Sequence, residues 1–122
     1  MLNLRPSLHL LLSLMLCLGV VPGAGADDVS DFFTVVQVDN PNAVKSMIDK
    51  GVDVNVRDPR SGETALIVAL REDSMNVFNV LVTDPRVKLE LAAPNGNTPL
   101  MMAAFKRNKP AALALLKRGA AV

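Results

Sequence analysis

The sequence contains no tryptophan and no tyrosine, and its 122 residues include a single histidine, His9, and a single cysteine, Cys17. Both lie within the first 26 residues, so residues 27–122 contain neither type. Zinc, haem and iron–sulfur sites take most of their ligands from these two residue types. The Ser–His and Cys–His nucleophile pairs need them as well. We therefore expect no metal, no cofactor and no enzyme of these classes in residues 27–122.

Neither sign of charge is in excess. The chain has 13 Lys and Arg against 12 Asp and Glu, and residues 27–122 hold 12 of each. A protein that follows nucleic-acid phosphates needs a basic stripe, so we expect no nucleic-acid partner. Two acidic pairs, 27–28 and 72–73, leave carboxylate chemistry open. Neither has a glycine-rich phosphate loop nearby or the spacing of a calcium loop. We expect a protein that is not an enzyme.

The first 26 residues have the three parts of a secretory signal peptide. Arg5 is the only charged residue before Asp27, and Leu10–Val21 is almost entirely apolar. The small residues Ala24 and Ala26 then form an A-x-A cleavage site. The sequence thus predicts a signal peptide at 1–26, cleavage near Ala26, and export to the periplasm or secretion.

Two other interpretations of this segment remain open. A membrane anchor or a buried helix is one, but spanning a bilayer takes roughly 20 apolar residues and the run is shorter. A lipid-modified Cys17 is the other, although Leu16 stands where a lipoprotein site resembles a small residue. We expect no membrane span in the mature chain.

The rest of the chain contains an internal repeat. Residues 62–70 (GETALIVAL) recur as residues 96–104 (GNTPLMMAA), at an offset of 34 in every matched position. Residues 46–51 (SMIDKG) recur as residues 114–119 (ALLKRG), at an offset of 68, which is two periods. A period of this size is typical of a solenoid built from helix–turn–helix units.

The residue types within the repeat fit helix boundaries. Thr64 and Thr98 are placed to cap first helices, and Pro99 stands where a missing N–H costs nothing. Gly51 and Gly119 follow second helices, as left-handed caps do. Apolar residues at helical spacing predict the buried stripes, which comprise Leu66, Ala69, Leu70, Leu100, Ala103 and Ala104 in the first helices and Val77, Val80, Leu81, Leu113, Leu115 and Leu116 in the second.

Residues 98–101 (TPLM) resemble the T-P-L-H motif of the ankyrin repeat family, with Met101 in the histidine place. Residues 50–55 and 115–120 resemble the family's turn after the second helix. A generic bundle of helical hairpins is the alternative, but such a bundle does not require glycines at matching positions of the repeat, as at Gly62 and Gly96 or Gly51 and Gly119. The resemblance implies an all-α solenoid of about three units after an N-terminal signal helix, with copies at about 30–57, 58–91 and 92–122.

The two ends of the array depart from the family pattern. The first copy carries Phe32 and Phe33 in place of the motif, and Asp31 is predicted to open its first helix. Degenerate opening copies commonly cap a solenoid. The last copy is incomplete and ends in an apolar tail, so we expect a fragment of a longer protein. The resemblance is strongest to short secreted ankyrin proteins of Gram-negative bacteria.

The resemblance implies a protein partner that contacts the exposed side of the first helices and the tips of the turn-rich loops between units, which are called fingers. Phe105 either points outward as a binding residue or packs on a following repeat. The basic cluster 106–109 is either a solvated loop or a contact for an acidic partner. The partner-binding candidates at these positions are Arg60, Ser61, Glu63, Arg71, Glu72, Asn95, Asn97, Phe105 and Lys106.

These features together predict a non-enzymatic protein-binding scaffold outside the cytoplasm. The alternative is an accessory factor that supports one neighbouring periplasmic enzyme, in the manner of some bacterial ankyrin proteins in oxidative-stress defence. An enzyme is a third class, which the lack of histidine and cysteine disfavours. The balanced total charge gives no strong electrostatic guide to a partner.

Overall fold

The computed structural model of the chain describes residues 26–121, which form six α-helices and no named strand. An antiparallel bridge joins Arg57 to Thr64. The predicted signal segment, up to residue 25, lies outside the described residues. The helices are α1 (Ala26–Gln37), α2 (Pro41–Asp49), α3 (Ala65–Arg71), α4 (Met75–Thr83), α5 (Pro99–Phe105) and α6 (Lys109–Lys117).

The helices pack as three consecutive pairs. Helix α1 packs on α2, α3 on α4, and α5 on α6, and we call these pairs unit 1, unit 2 and unit 3. The first helices α1, α3 and α5 stack in one layer, and the second helices α2, α4 and α6 stack in the other. This arrangement confirms the predicted all-α solenoid of helix–turn–helix units.

The 34-residue period is present in the backbone of the turns. Asp39, Asp73 and Arg107 join the two helices of each unit, and all three adopt positive φ angles, of 56°, 57° and 54°. The next residue is the N-cap of the second helix. In two units it is an asparagine whose side chain accepts a capping hydrogen bond, Asn40 from the Ala43 N–H and Asn108 from the Ala111 N–H, each at 3.1 Å. The second helices thus start in phase.

The core lies between the two layers and is most complete in unit 2. Residues 65–70 of α3 are all buried, because this helix has a stacked neighbour on each side. Phe32 and Phe33 of α1 are fully buried, with their rings edge to face at a centroid distance of 5.6 Å. Phe78 of α4 is also fully buried. Three of the chain's four phenylalanines therefore fill the interior.

The structure corrects two details of the predicted first helices. Helix α1 begins at Ala26 rather than Asp31, and the added turn buries Val29 against the core. The Thr64 hydroxyl makes no capping hydrogen bond, whereas the Thr98 hydroxyl accepts one from the Met101 N–H at 3.2 Å. Both threonines nevertheless occupy the predicted N-cap position with extended backbone.

Three side chains predicted to be buried are instead exposed, namely Ala104, Leu113 and Leu116. All lie in unit 3, which has a stacked unit on only one side within the described residues. Leu116 follows Val82 by one period, and Val82 is buried in unit 2. The apolar spacing thus identifies a stacking face at Ala104 and Leu116, which no unit covers within the described residues. The prediction for Leu113 is wrong, because its equivalent Asn79 is exposed in unit 2 as well.

Side-chain hydrogen bonds join neighbouring units. The Asp39 carboxylate accepts from the Val77 N–H and from the Asn76 side-chain amide, both at 2.9 Å. Between units 2 and 3, the Arg118 guanidinium donates from Nε to the Val82 carbonyl at 2.7 Å. These hydrogen bonds help to fix the relative position of neighbouring units, which apolar stacking alone does not specify, because each bond forms only in one arrangement of its two units.

Candidate protein-binding surface

Two loops between units form the fingers, at residues 57–64 and 91–98. Arg57 ties them together, because one guanidinium nitrogen donates to both the Gly62 and the Ala92 carbonyl at 2.8 Å. Gly62 has a φ of +75°, and a Cβ built on it would lie 2.7 Å from Pro94 Cγ. The two fingers therefore touch at a position where only glycine fits.

Replacing Gly62 by alanine is expected to lower the free energy of unfolding by about 2–3 kcal/mol, from left-handed strain plus the clash with Pro94. Gly96→Ala is the matched control, since Gly96 has a φ of +87° and no atom near its missing Cβ. It should cost only the strain, about 1–2 kcal/mol. Urea denaturation measures both, and equal losses would contradict the close contact between fingers.

The first finger presents Arg60 and Ser61 at its tip, and both are exposed. Asp58 beneath them is buried, and its Oδ1 accepts from the Arg60 backbone N–H at 2.9 Å. The Ser61 hydroxyl oxygen accepts from the Glu63 N–H at 3.3 Å. The tip therefore has a fixed backbone. The Arg60 side chain is mostly exposed, and its Nε also pairs with Asp58 Oδ1 at 3.4 Å.

The second finger carries two side-chain amides, those of Asn95 and Asn97. Asn95 is exposed, and its side-chain oxygen accepts from the Asn97 N–H at 3.0 Å. The Asn97 carbonyl accepts from the Ala93 N–H at 2.8 Å, and Asn97 is half-buried. Asn95 is thus the more accessible of the two candidates.

Glu63, Arg71 and Glu72 form one ion-pair group at the end of α3. The Arg71 guanidinium binds both oxygens of Glu63, at 3.0 and 3.3 Å, and its Nη1 also contacts Glu72. Burial acts to lower the pKa of Arg71, but the hydrogen bond and charge of Glu63 outweigh it and hold that pKa above its ordinary value. These three candidates are therefore held together, with Glu63 the least accessible.

Lys106 connects unit 3 to the end of α3. Its ammonium lies 3.2 Å from the Asp73 carboxylate and donates to the Arg71 carbonyl at 3.1 Å. The side chain is only about a quarter exposed, at 27%. Lys106 is thus a joint between units as well as a surface cation.

Phe105 is 79% exposed, the highest value among the large apolar side chains that the structure describes. Gln37 and Arg71 precede it by two periods and one period, and we call Gln37, Arg71 and Phe105 the first-helix row. Arg71 keeps its side chain 40% exposed although unit 3 is stacked beside it. A stacked unit therefore does not cover this row, and the comparison favours Phe105 as an outward-facing residue.

The arrangement suits recognition of another surface. It combines one exposed aromatic ring with charges whose positions are fixed by ion pairs. Over residues 26–121 we find no group of His, Cys, Asp and Glu side chains that could hold a metal ion. No helix in this range has the length and hydropathy needed to cross a membrane.

Two residues that organise this surface were not singled out from the sequence, namely Arg57 and Asp58. Arg57 bridges the two fingers, and Asp58 is the buried acceptor under the first tip. The repeat could not reveal them, because the second finger has Leu91 and Ala92 at the corresponding positions. The only sequence signal is Asp58 before Pro59 in a turn, where a carboxylate accepts from a backbone N–H two residues later.

Comparison with known proteins supports this architecture. Residues 32–122 match the family model for ankyrin repeats in three copies. SH3 and multiple ankyrin repeat domains protein 2 of Homo sapiens is 38% identical over 78 residues, which cover 63% of this chain and 4% of the human protein. The nuclear factor NF-kappa-B p105 subunit of Gallus gallus is 27% identical over 113 residues, 93% of this chain and 12% of the avian protein.

The neurogenic locus Notch protein of Drosophila melanogaster is 36% identical over 63 residues, 52% of this chain and 2% of the fly protein. The chain thus spans only a small fraction of the length of these relatives. Because the family model covers residues 32–122, three quarters of the sequence, the chain belongs to the ankyrin repeat family.

Proposed function

We propose that this protein is a non-enzymatic scaffold that binds another protein through its finger tips and first-helix row. The exposure of Phe105 carries the proposal. A phenylalanine ring left in water has a large apolar area to bury on binding. Phenylalanine is among the aromatic residues that are enriched in protein–protein interfaces relative to the rest of the surface. Membership of the ankyrin repeat family supports the same class of function.

The charges around Phe105 support binding with little loss of conformational freedom. Arg71 is held by Glu63 and Glu72, and Lys106 is held by Asp73. Side chains that are already ordered lose less entropy when a partner docks. The partner would therefore meet an apolar ring beside charges in fixed positions.

We also propose that the chain is exported and acts in the periplasm, on the strength of its N-terminal segment. The expected partner is then a periplasmic protein. A photo-crosslinking residue placed at Phe105 in bacterial cells should trap it, and fractionation should recover the adduct from the periplasm. A cytoplasmic adduct would contradict export and leave the scaffold proposal standing.

The purified partner then tests the surface. Phe105→Ala should weaken its binding by at least about tenfold, because one buried aromatic anchor contributes more than 1.4 kcal/mol. Leu113→Ala is the matched control, since Leu113 is exposed on the second helix of the same unit. Equal affinity of Phe105→Ala and the native chain, measured by calorimetry, would overturn the assignment of this row.

A further inference from the structure

Two exposed apolar side chains lie at opposite ends of the first-helix layer. Phe105 at the end of α5 is 79% exposed, and Val38, which directly follows α1, is 67% exposed. Glu72 and Lys106 follow Val38 by one and two periods, and they are the C-cap residues of α3 and α5. We call Val38, Glu72 and Lys106 the cap row. It borders the first-helix row, because Arg71 of that row contacts Glu72.

The exposure of the cap row does not depend on the position of a unit in the stack. Val38 belongs to unit 1 and is exposed although unit 2 is stacked beside it. Glu72 belongs to unit 2 and keeps its side chain 39% exposed although unit 3 is stacked beside it. Arg71 shows the same for the row of Phe105. Both rows are therefore accessible along all three units.

Carboxylates are in excess between the two apolar side chains. Glu63, Arg71, Glu72, Asp73 and Lys106 form a connected group in which three carboxylates meet two cations. Glu63 uses both oxygens on Arg71, whereas Glu72 uses only Oε1 and Asp73 only Oδ2. The second oxygens of Glu72 and Asp73 have no partner within residues 26–121. They are therefore free to accept hydrogen bonds from a further cation.

The distribution of charge along the chain favours the same place for a cation. Residues 27–91 hold all twelve carboxylates of the chain and seven of its cations, whereas residues 92–122 hold five cations and no Asp or Glu side chain. Unit 3 is therefore basic. Arg107 of unit 3 follows Asp73 by one period and is exposed. The acidic part of the surface thus lies in units 1 and 2, where its field attracts a partner's cations.

We propose that the partner contributes an extended segment with an apolar side chain at each end and Arg or Lys side chains between them. The apolar side chains pack on Val38 and Phe105, and the cations pair with the free oxygens of Glu72 and Asp73. This inference rests on the proposed function, to which it adds the chemistry of the partner. Apolar contacts at the ends and opposite charge in the middle together fix the register of the segment.

The spacing of the units sets the spacing within the segment. Packed helices lie about 8–10 Å apart, so the two steps from α1 to α5 span roughly 16–20 Å. An extended chain rises about 3.3 Å per residue and turns every second side chain to the same face. Two apolar residues six positions apart therefore fit, with cations at the second and fourth positions between them. A helix needs about twelve residues for this span and orders more of the chain.

Three labelled peptides of about nine residues test the proposal by fluorescence anisotropy with the full chain, a length that reaches both apolar side chains only when it is extended. The first has leucine at its second and eighth positions, arginine at its fourth and sixth, and serine elsewhere. The second has glutamate for each arginine, and the third has serine for each leucine. The first should bind at least about tenfold more tightly than either of the others. Its affinity should fall as salt is raised.

Removing charge locates the cations of the segment. The double variant Glu72→Gln, Asp73→Asn should weaken binding of the first peptide at least about tenfold, because its arginines lose both charged partners. Asparagine is chosen because position 73 has a φ of 57°, which asparagine tolerates. The matched control is Asp49→Asn, Asp53→Asn, which makes the same change in net charge at exposed positions at and after the end of α2. It should keep the peptide.

Polar substitution locates the apolar ends. Val38→Ser should weaken binding of the first peptide several-fold, because the leucine that packs on Val38 loses its apolar contact. Leu113→Ser is the matched control, since Leu113 is 53% exposed on the second helix of unit 3, away from both rows. It should leave the affinity unchanged. Circular dichroism checks that all variants remain folded.

Three results would overturn the proposal, namely equal or tighter binding of the glutamate peptide, equal loss in the two double variants, and equal loss in Val38→Ser and Leu113→Ser. The protein trapped by crosslinking at position 105 separates this inference from the proposed function. If Phe105→Ala weakens binding of that protein and Glu72→Gln, Asp73→Asn does not, the scaffold proposal stands and the basic segment is wrong.

Discussion

Replacing Phe33 by alanine is expected to lower the free energy of unfolding by about 3–5 kcal/mol, the range for large-to-small changes at fully buried aromatic residues. Phe33 has no exposed surface and packs edge to face against Phe32. The change removes apolar contacts in unit 1 and leaves a cavity beside the second ring. A loss of this size is a large fraction of the roughly 5–15 kcal/mol by which native proteins are stable. Urea denaturation followed by circular dichroism measures it.

Phe105→Ala is the matched control, because it deletes the same atoms from a side chain that is mostly in water. Its free energy of unfolding should stay within about 0.5 kcal/mol of the native value, as is usual at surface positions. A large loss at Phe105, or a small one at Phe33, would show that the described packing of unit 1 or unit 3 is wrong.

Asp39→Ala is expected to cost about 2–3 kcal/mol, since hydrogen bonds to a charged group contribute about 1.5–3 kcal/mol. Its carboxylate accepts from the Val77 N–H in the first turn of α4 and from the Asn76 amide. A negative charge is also stabilising at a helix N-terminus. The backbone of Asp39 adopts a positive φ, which alanine tolerates less well than aspartate.

Asp73→Ala separates these contributions. Asp73 occupies the same turn one period later with a φ of 57°, so the substitution has the same backbone cost. Its carboxylate is 65% exposed and pairs only with Lys106 among the described residues. An exposed ion pair of this kind contributes about 0–1 kcal/mol. Asp39→Ala should therefore exceed Asp73→Ala by more than about 1 kcal/mol in chemical denaturation. Equal losses would show that the Asp39 contacts across units add no stability.

The architecture could be predicted because the repeat expresses local physical rules at a fixed period. Glycine after a helix, threonine before a helix, and apolar residues at helical spacing each restrict the backbone independently. They agree in phase from 62 to 119, so the helix–turn–helix units followed directly. The start of α1 could not be predicted in the same way, because residues 26–30 contain no repeated motif and no glycine or proline that would mark a helix boundary.

Burial in unit 3 was harder to predict, because spacing identifies an apolar face but not what covers it. Leu116 has the same helical position as Val82, and only the position of each unit in the stack separates an exposed side chain from a buried one. Phe105 shows the reverse. Arg71, which precedes Phe105 by one period, remains accessible beside a stacked unit. The exposure of Phe105 therefore does not depend on whether a unit is stacked beside it.

The role of the candidate surface in binding stays a prediction. The structure shows only how accessible its residues are, with Phe105 and Asn95 exposed and Glu63 and Lys106 half-buried. The ion pairs that restrain Arg71 and Lys106 depend on contacts across 8 and 33 residues of sequence, which no local pattern encodes. The neutral total charge concealed the basic character of unit 3, because a sum over the chain discards the position of each charge.

The bonds at the two joints between units differ, although the backbone period is the same. Between units 1 and 2, the Asp39 carboxylate accepts from the Val77 N–H at the start of α4, and the Ser74 hydroxyl donates to the Gln37 carbonyl. Units 2 and 3 are joined by Lys106 and Arg118, which donate to carbonyls of unit 2. The three units are therefore not interchangeable. A rearranged chain in which two units exchanged places would keep every helix boundary but lose the hydrogen bonds between units that depend on their present order.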